Sequence, residues 1–201
     1  MSSKALDMAR ELVKQLEEAE KKHKARLSEL KPGDTFKIGE HDFIVLDQDE
    51  SSQTTKVISK GFMAEDVIFD KNTKDYNKSN IKKIIEADIQ PIIENAVGAE
   101  NLIKHTVSLI SVDMQHKYED CVCKVRPITF DEAREFNDLL VNKSLNDWGW
   151  TCTPWSTRER GCDYSIAVVS PSGDIRSSNY GNYVAVRPFC IFSSSIFESE
   201  K

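Results

Sequence analysis

The sequence predicts an α+β protein: a long amphipathic helix over residues 4–31, a strand-rich domain over 32–192 and a short, frayed polar tail over 193–201. Three observations predict it. Leu6, Ala9, Val13, Leu16, His23, Leu27 and Leu30 follow one another at alternating three- and four-residue steps, with Glu20 filling the remaining place, until Pro32-Gly33 stops the pattern. Beyond that stop the hydrophobic period falls to two in several short runs, the signature of half-buried strands. Between those runs lie two helical stretches, so strands and helices are interspersed along one chain.

The amino-terminal pattern is a heptad seam of about four repeats. Residues 1–31 are therefore read as a coiled-coil helix that joins copies of the chain, in preference to one amphipathic helix docked on its own domain. His23 and Glu20 are the polar positions of the seam, of the kind that fixes register or partner number; a buried His23 would also make assembly sensitive to pH.

The domain begins with Thr35-Phe36-Lys37-Ile38-Gly39 and Asp42-Phe43-Ile44-Val45-Leu46-Asp47, two strands joined at Gly39-Glu40-His41, and Thr54 to Ser59 continues a meander. Ser79 or Asn80 caps a helix carrying Ile81, Ile84, Ile85 and Ile89 on one face. Pro91 ends or kinks it, and Ile92, Ile93, Ala96 and Val97 form a second piece that stops at Gly98. Leu109 to Val112 reads as a short strand. Cys121, Cys123 and Val125 alternate on one strand face, a simpler reading than a metal site with His116, because zinc-binding cysteines are spaced more widely.

Thr129-Phe130-Asp131-Glu132 is a capping box that opens a helix burying Ala133, Phe136 and Leu140. The carboxylates of Asp131 and Glu132 read as cap and helix-dipole partners rather than an acid–base pair. Ser165 to Ser170 is a strand, Pro171-Ser172-Gly173-Asp174 a turn, Ile175 to Ser178 the return, and Tyr183 to Arg187 a closing strand ending at Pro188.

Composition narrows the function classes. A chain of 201 residues that is 39% hydrophobic and 30% charged can build one well-buried core. No apolar run reaches the length of a membrane span, and the first residues lack the apolar core of a secretory signal. Five cysteines, an odd number, read as reduced thiols in a cytoplasmic setting. A net charge of −6 counts against nucleic acid as a partner.

The residues Trp155-Ser156-Thr157-Arg158, then Ala167-Val168-Val169, the turn Gly173 and Val184-Ala185-Val186-Arg187-Pro188 carry a resemblance. They resemble an uncharacterised domain family of gut Firmicutes and their phages, whose signature runs Trp-x-Leu-Arg-Ser-Pro to Gly-Val-Arg-Pro. Thr157 and Ala185 stand where that family has Leu and Gly. Pro32 to Asp47 and Ile128 to Ala133 are similar to its first hairpin and its central strand-to-helix passage.

The resemblance implies a C-type-lectin-like fold, shared with formylglycine-generating enzymes. It makes Trp155, Arg158, Arg187 and Pro188 framework, with the two arginines pairing buried acceptors. The resemblance implies no reaction, because a fold does not fix function; the expected function is that of a non-catalytic, oligomeric recognition protein of phage or bacterial origin, cytoplasmic or virion-associated. Its protein or glycan ligand would be held by loop residues Trp148, Trp150, Tyr180, Asn182 and Tyr183. No metal or cofactor is expected, since the Glu-Pro-Asn and Gln-Pro-Asp triplets of calcium-dependent sugar binding are missing from the sequence. The alternative is a cysteine-dependent enzyme on the same scaffold, using Cys152, Cys162 or His116.

Overall fold

The computed structural model describes residues 26–196 together with Arg10. The first hairpin forms as the sequence predicts: β1 (Thr35–Ile38) and β2 (His41–Asp49) pair antiparallel, with Gly39 at a positive φ of 56° in the turn. β3 (Thr54–Ser59) continues the meander. β4 (Ala64–Ile68) follows, then the helical stretch, β5 (His105–Val107), β6 (Cys121–Cys123), β7 (Val125–Pro127), β8 (Gly149–Pro154), β9 (Ser165–Val169), β10 (Ile175–Asn179), β11 (Tyr183–Val186) and β12 (Pro188–Ser193).

These strands make two five-stranded sheets, ordered β1-β2-β3-β12-β7 and β10-β9-β8-β11-β4, and a two-stranded β5-β6 ribbon. The chain crosses from the second sheet to the first at Arg187, the single residue between β11 and β12. The architecture is α+β and dominated by strands.

Alternation along the strands sorts side chains between two cores. Phe43 and Val45 of β2 and Phe192 of β12 enter the larger one. Ile44, Leu46 and Phe189 enter the smaller one with Ala133, Phe136 and Leu140. The first sheet is therefore covered on both faces. Trp150, Ile166, Val168 and Val184 of the second sheet join the larger core.

The helical stretch also differs in detail from its sequence reading. Ser79 caps α1 (Asn80–Ile84), its hydroxyl accepting the Lys82 N–H. A π-helical turn over Ile85–Ile89 then leads into α2 (Gln90–Val97), with Pro91 in its first turn. The wide turn contains Ala87, whose carbonyl the proline ring would otherwise meet, so the helix continues past Pro91. Ile81, Ile85, Ile89 and Ile93 are buried, whereas Ile92 is half exposed. Gly98, at φ 85°, ends the helix. The capping box forms at Thr129 and Glu132 and opens α3 (Phe130–Glu135), which α4 (Asn137–Leu140) follows.

Three readings are corrected here. No strand forms over 109–112; Leu109 is buried, but Ser111 turns the chain by bonding Asp113 and Gln115. Leu27 and Leu30 do not continue a coil, because Arg26 is extended and Leu27–Glu29 is a 3₁₀ turn whose Leu27 side chain is fully buried in the domain core. The Gln48 amide ties this turn down by donating to the Leu27 and Leu30 carbonyls at 2.7 and 2.8 Å. Finally, Ser194 and Ile196 are not frayed: they accept the Ser28 and Leu27 N–H groups, and Ile196 is buried. The seam residues Leu6, Ala9, Val13, Leu16 and His23 lie outside the described residues.

Candidate functional site

Strand β10 is polar on both faces, and its position at the edge of the second sheet explains how that is tolerated. Arg176 lies opposite Val168 of β9 in the ladder. Its guanidinium sits over the Trp148 ring, 5.6 Å from the centroid. Beyond β10 the chain turns at Asn179, whose side-chain oxygen accepts the Gly181 N–H at 2.9 Å and whose carbonyl accepts that of Asn182. The Asn182 amide donates to the Ser178 hydroxyl at 3.0 Å, and Tyr183 then stands 70% exposed at the start of β11.

Together these residues enclose a surface groove of about 620 Å³. Val168 and Val184 contribute apolar surface, while Asp147, Trp148, Arg176, Ser177, Ser178, Asn182 and Tyr183 supply acceptors, donors and aromatic rings. Among the described residues no carboxylate lies within ion-pair distance of Arg176. The groove thus offers hydrogen bonding of both signs beside an exposed aromatic ring.

Of the five loop residues expected to bind a ligand, the structure brings Trp148, Asn182 and Tyr183 together here. Trp150 is not a surface residue: it is 1% exposed, packs edge-on against Phe69 and donates from Nε1 to the Val67 carbonyl at 2.7 Å. β8 is buried along its whole length, so Trp150 lies in the core while Trp148, just before the strand, is only half-buried. Tyr180 does not line the groove and packs half-buried against the larger core. Asp147, Arg176, Ser177 and Ser178 were missed. Their signal is the run Arg176-Ser177-Ser178-Asn179, a strand without a hydrophobic face.

The framework residues divide. Trp155 is half-buried, packs edge-on against Phe130 and donates its backbone N–H to the Ser165 carbonyl. Pro188 is buried and opens β12 opposite Pro127. Arg187 is 7% exposed; Nε donates to the Ser59 carbonyl at 2.9 Å and Nη1 to the Leu140 carbonyl at 2.8 Å. Arg158 is a correction, being 82% exposed, with the Asp163 carboxylate 3.6 Å from its Nε. Its 3₁₀ turn, Arg158–Arg160, has no buried side chain, so it lies outside the packed framework.

The buried arginine with a carboxylate partner is instead Arg126. It makes a two-pronged bond with Glu132 at 2.7 and 2.6 Å and lies over the Phe189 ring. Burial works against its charge, but the Glu132 carboxylate holds its pKa above the ordinary arginine value. Burial opposes the Glu132 charge too, and Arg126 outweighs it, keeping that carboxyl below its usual range. The Arg126–Glu132 pair lies beneath a smaller cleft of about 240 Å³ near Thr106 and Met114. Its groups are saturated by one another and by His105, Pro127 and Thr129, which suits structure.

The cysteines differ in their surroundings, and a hydrogen bond with Cys123 holds the Cys121 thiol below its ordinary value. Cys121, Cys123, Cys152 and Cys190 are buried, and burial pushes the Cys152 thiol up to about 12. Cys121 and Cys123 share a hydrogen bond, which together with burial raises Cys123. Cys162 is partly exposed, and its carbonyl, with that of Ser156, takes the buried Lys74 ammonium. His116 is exposed. Among the described residues no group of three or more His, Cys, Asp or Glu side chains is arranged to hold a metal, and no helix is long and apolar enough to cross a membrane. Comparison with protein-family models, curated proteins and solved structures gives no match to this chain.

Proposed function

We propose that this chain is a non-catalytic recognition protein whose ligand lies in the groove between Trp148 and Tyr183. The observation that carries this reading is the composition of the groove wall: a 70% exposed tyrosine beside an arginine stacked on tryptophan, with Asp147, Asn182 and two serines around them. Tyr, Trp and Arg are the side chains that concentrate binding energy at recognition surfaces: the two aromatics bury much area at small entropic cost, and Arg adds several directed donors. A glycan suits this wall. Each sugar hydroxyl donates and accepts, matching Asp147 on one side and Arg176 or Asn182 on the other, while a C–H face of the ring rests on Tyr183.

On this reading the two-sheet domain is a C-type-lectin-like unit of the phage and bacterial family that residues 155–188 resemble. The amino-terminal heptad segment sets its valency by joining copies of the chain, and linked copies multiply weak single-site affinity. The enzymatic alternative is weakened by the burial of Cys152 and its raised pKa.

A glycan array probed with the wild-type chain, Tyr183→Ala and Arg176→Ala tests the proposal. The wild type should retain a defined subset of oligosaccharides. Each variant should bind them at least about 10-fold more weakly, a loss of about 1.4 kcal/mol, with an unchanged melting temperature. Equal retention by all three chains, or none by the wild type, overturns it.

A further inference from the structure

Strand β6 is three residues long, and its burial alternates. Cys121 and Cys123 are 0% and 5% exposed, while Val122 between them is 53% exposed, so the two thiols share the inward face of one strand. Val107 of β5 stands opposite Cys121, and His105 stands opposite Cys123. The two sulfurs meet. The Cys123 S–H donates to the Cys121 sulfur, and that bond, helped by the Lys82 and Arg126 charges, outweighs burial and keeps the Cys121 thiol below its ordinary value. The same bond, and then burial, pushes Cys123 up. One thiol is therefore readied as a thiolate while its neighbour holds a proton, the division of labour that a dithiol redox pair needs. The Cys152 thiol of β8 is coupled electrostatically to both, but it is wholly buried and pushed up to about 12.

We propose that Cys121 and Cys123 are an oxidation site, which a hydroperoxide closes into a disulfide across the single residue Val122. The Cys121 thiolate attacks one peroxide oxygen and breaks the O–O bond, which leaves a sulfenic acid on Cys121 and releases the other oxygen as water or an alcohol once it is protonated. The Cys123 sulfur then attacks the Cys121 sulfur and expels hydroxide, which takes the Cys123 proton and departs as water. Two thiols lose two electrons, and the peroxide gains them.

The ribbon governs both access and consequence. β5 and β6 pair over three rungs, and a two-stranded ribbon of that length opens readily, which lets a small peroxide reach a buried thiol. Same-face neighbours on an extended strand are about 6.6 Å apart at Cα, the far end of the roughly 4.4–6.8 Å that a disulfide spans. Closing the bridge draws them together and bends β6. The strand then loses its register with His105 and Val107, so oxidation loosens the ribbon. The inference holds whatever the groove binds.

Trypsin tests it directly, because cleavage after Lys117 and Lys124 releases Tyr118–Lys124, a peptide with these two cysteines and no other. The full chain is treated with hydrogen peroxide, alkylated in denaturant and digested. Tyr118–Lys124 should come off unalkylated and two hydrogens lighter than its reduced form, and dithiothreitol should reverse the change. Amide exchange over 105–107 and 121–123 should quicken at least about 10-fold on oxidation. Cys123→Ser should leave a sulfenic acid on Cys121 that dimedone traps, and Cys121→Ser should leave Cys123 unmodified. If a variant fails to fold, the wild-type peptide decides. Full alkylation of Tyr118–Lys124 at a peroxide dose that converts the exposed Met114 to its sulfoxide overturns the proposal. So does a bridge from either cysteine to Cys152, or a Cys121–Cys123 bridge that leaves the exchange unchanged.

Discussion

His105 shows how far one side chain can be specified by its neighbours. The Arg126 Nε–H can only donate, and it points at His105 Nε2 at 3.1 Å, so that nitrogen carries the lone pair. The proton therefore sits on Nδ1 and is donated to the Ile103 carbonyl at 3.3 Å. Burial first, and the Arg126 charge second, lower the imidazole pKa from 6.5 to about 4. Because the folded value is depressed, the unfolded chain binds more protons between these values. Stability is then complete above pH 6.5 and declines as the pH falls towards 4. Discounted for a partly exposed ring, the loss is about 2 kcal/mol. Urea unfolding from pH 7.5 to 4.5 should show this slope, and His105→Gln, which keeps an acceptor for Arg126, should flatten it. Nothing adjacent in sequence announces this role, since Arg126 is 21 positions away. The groove is similar: Trp148, Asn182 and Tyr183 are legible as exposed candidates near turns, but Arg176 becomes a wall residue only when β10 folds back beside β9.

Among the elements, those with local causes were legible. The capping box is made by four consecutive residues, and Thr129 and Glu132 satisfy each other's backbone donors. Thr129→Ala should cost about 1 kcal/mol in thermal or urea denaturation, the usual value of a lost cap, while leaving the α3 contacts in place. The first hairpin and β9–β10 were likewise set by period and turn residues. β4 and β12 were not. β4 carries Glu65 and Asp66 at the edge of a sheet, where polar side chains reach solvent and no alternation is needed. β12 begins with Pro188, which reads as a strand end. It is tolerated because its partner there is Pro127, so neither residue has an N–H to offer the ladder at that rung.

At the scale of the whole molecule, the two ends described by the structure meet. Leu27 and Ile196 are joined by a backbone hydrogen bond of 3.0 Å, and both side chains are buried. The domain therefore takes in residues that the heptad pattern assigns to the coil. Deleting residues 1–25 should leave the melting temperature close to that of the full chain and abolish self-association in sedimentation. Leu27→Ala should cost about 2–5 kcal/mol, the price of a cavity in a packed core. An unchanged mass after the deletion would refute assembly through that segment.

The sequence by itself determined the α+β class, the first meander, the capped helices and the β9–β10 hairpin, because period, caps and turns act over a few neighbouring residues. Only the tertiary structure decided which tryptophan is buried and that Arg187 rather than Arg158 is held inside. Each of those outcomes depends on partners tens of residues away, such as Val67 for Trp150 and Ser59 and Leu140 for Arg187. Burial and charge compensation are properties of the assembled sheets, and no local pattern encodes them.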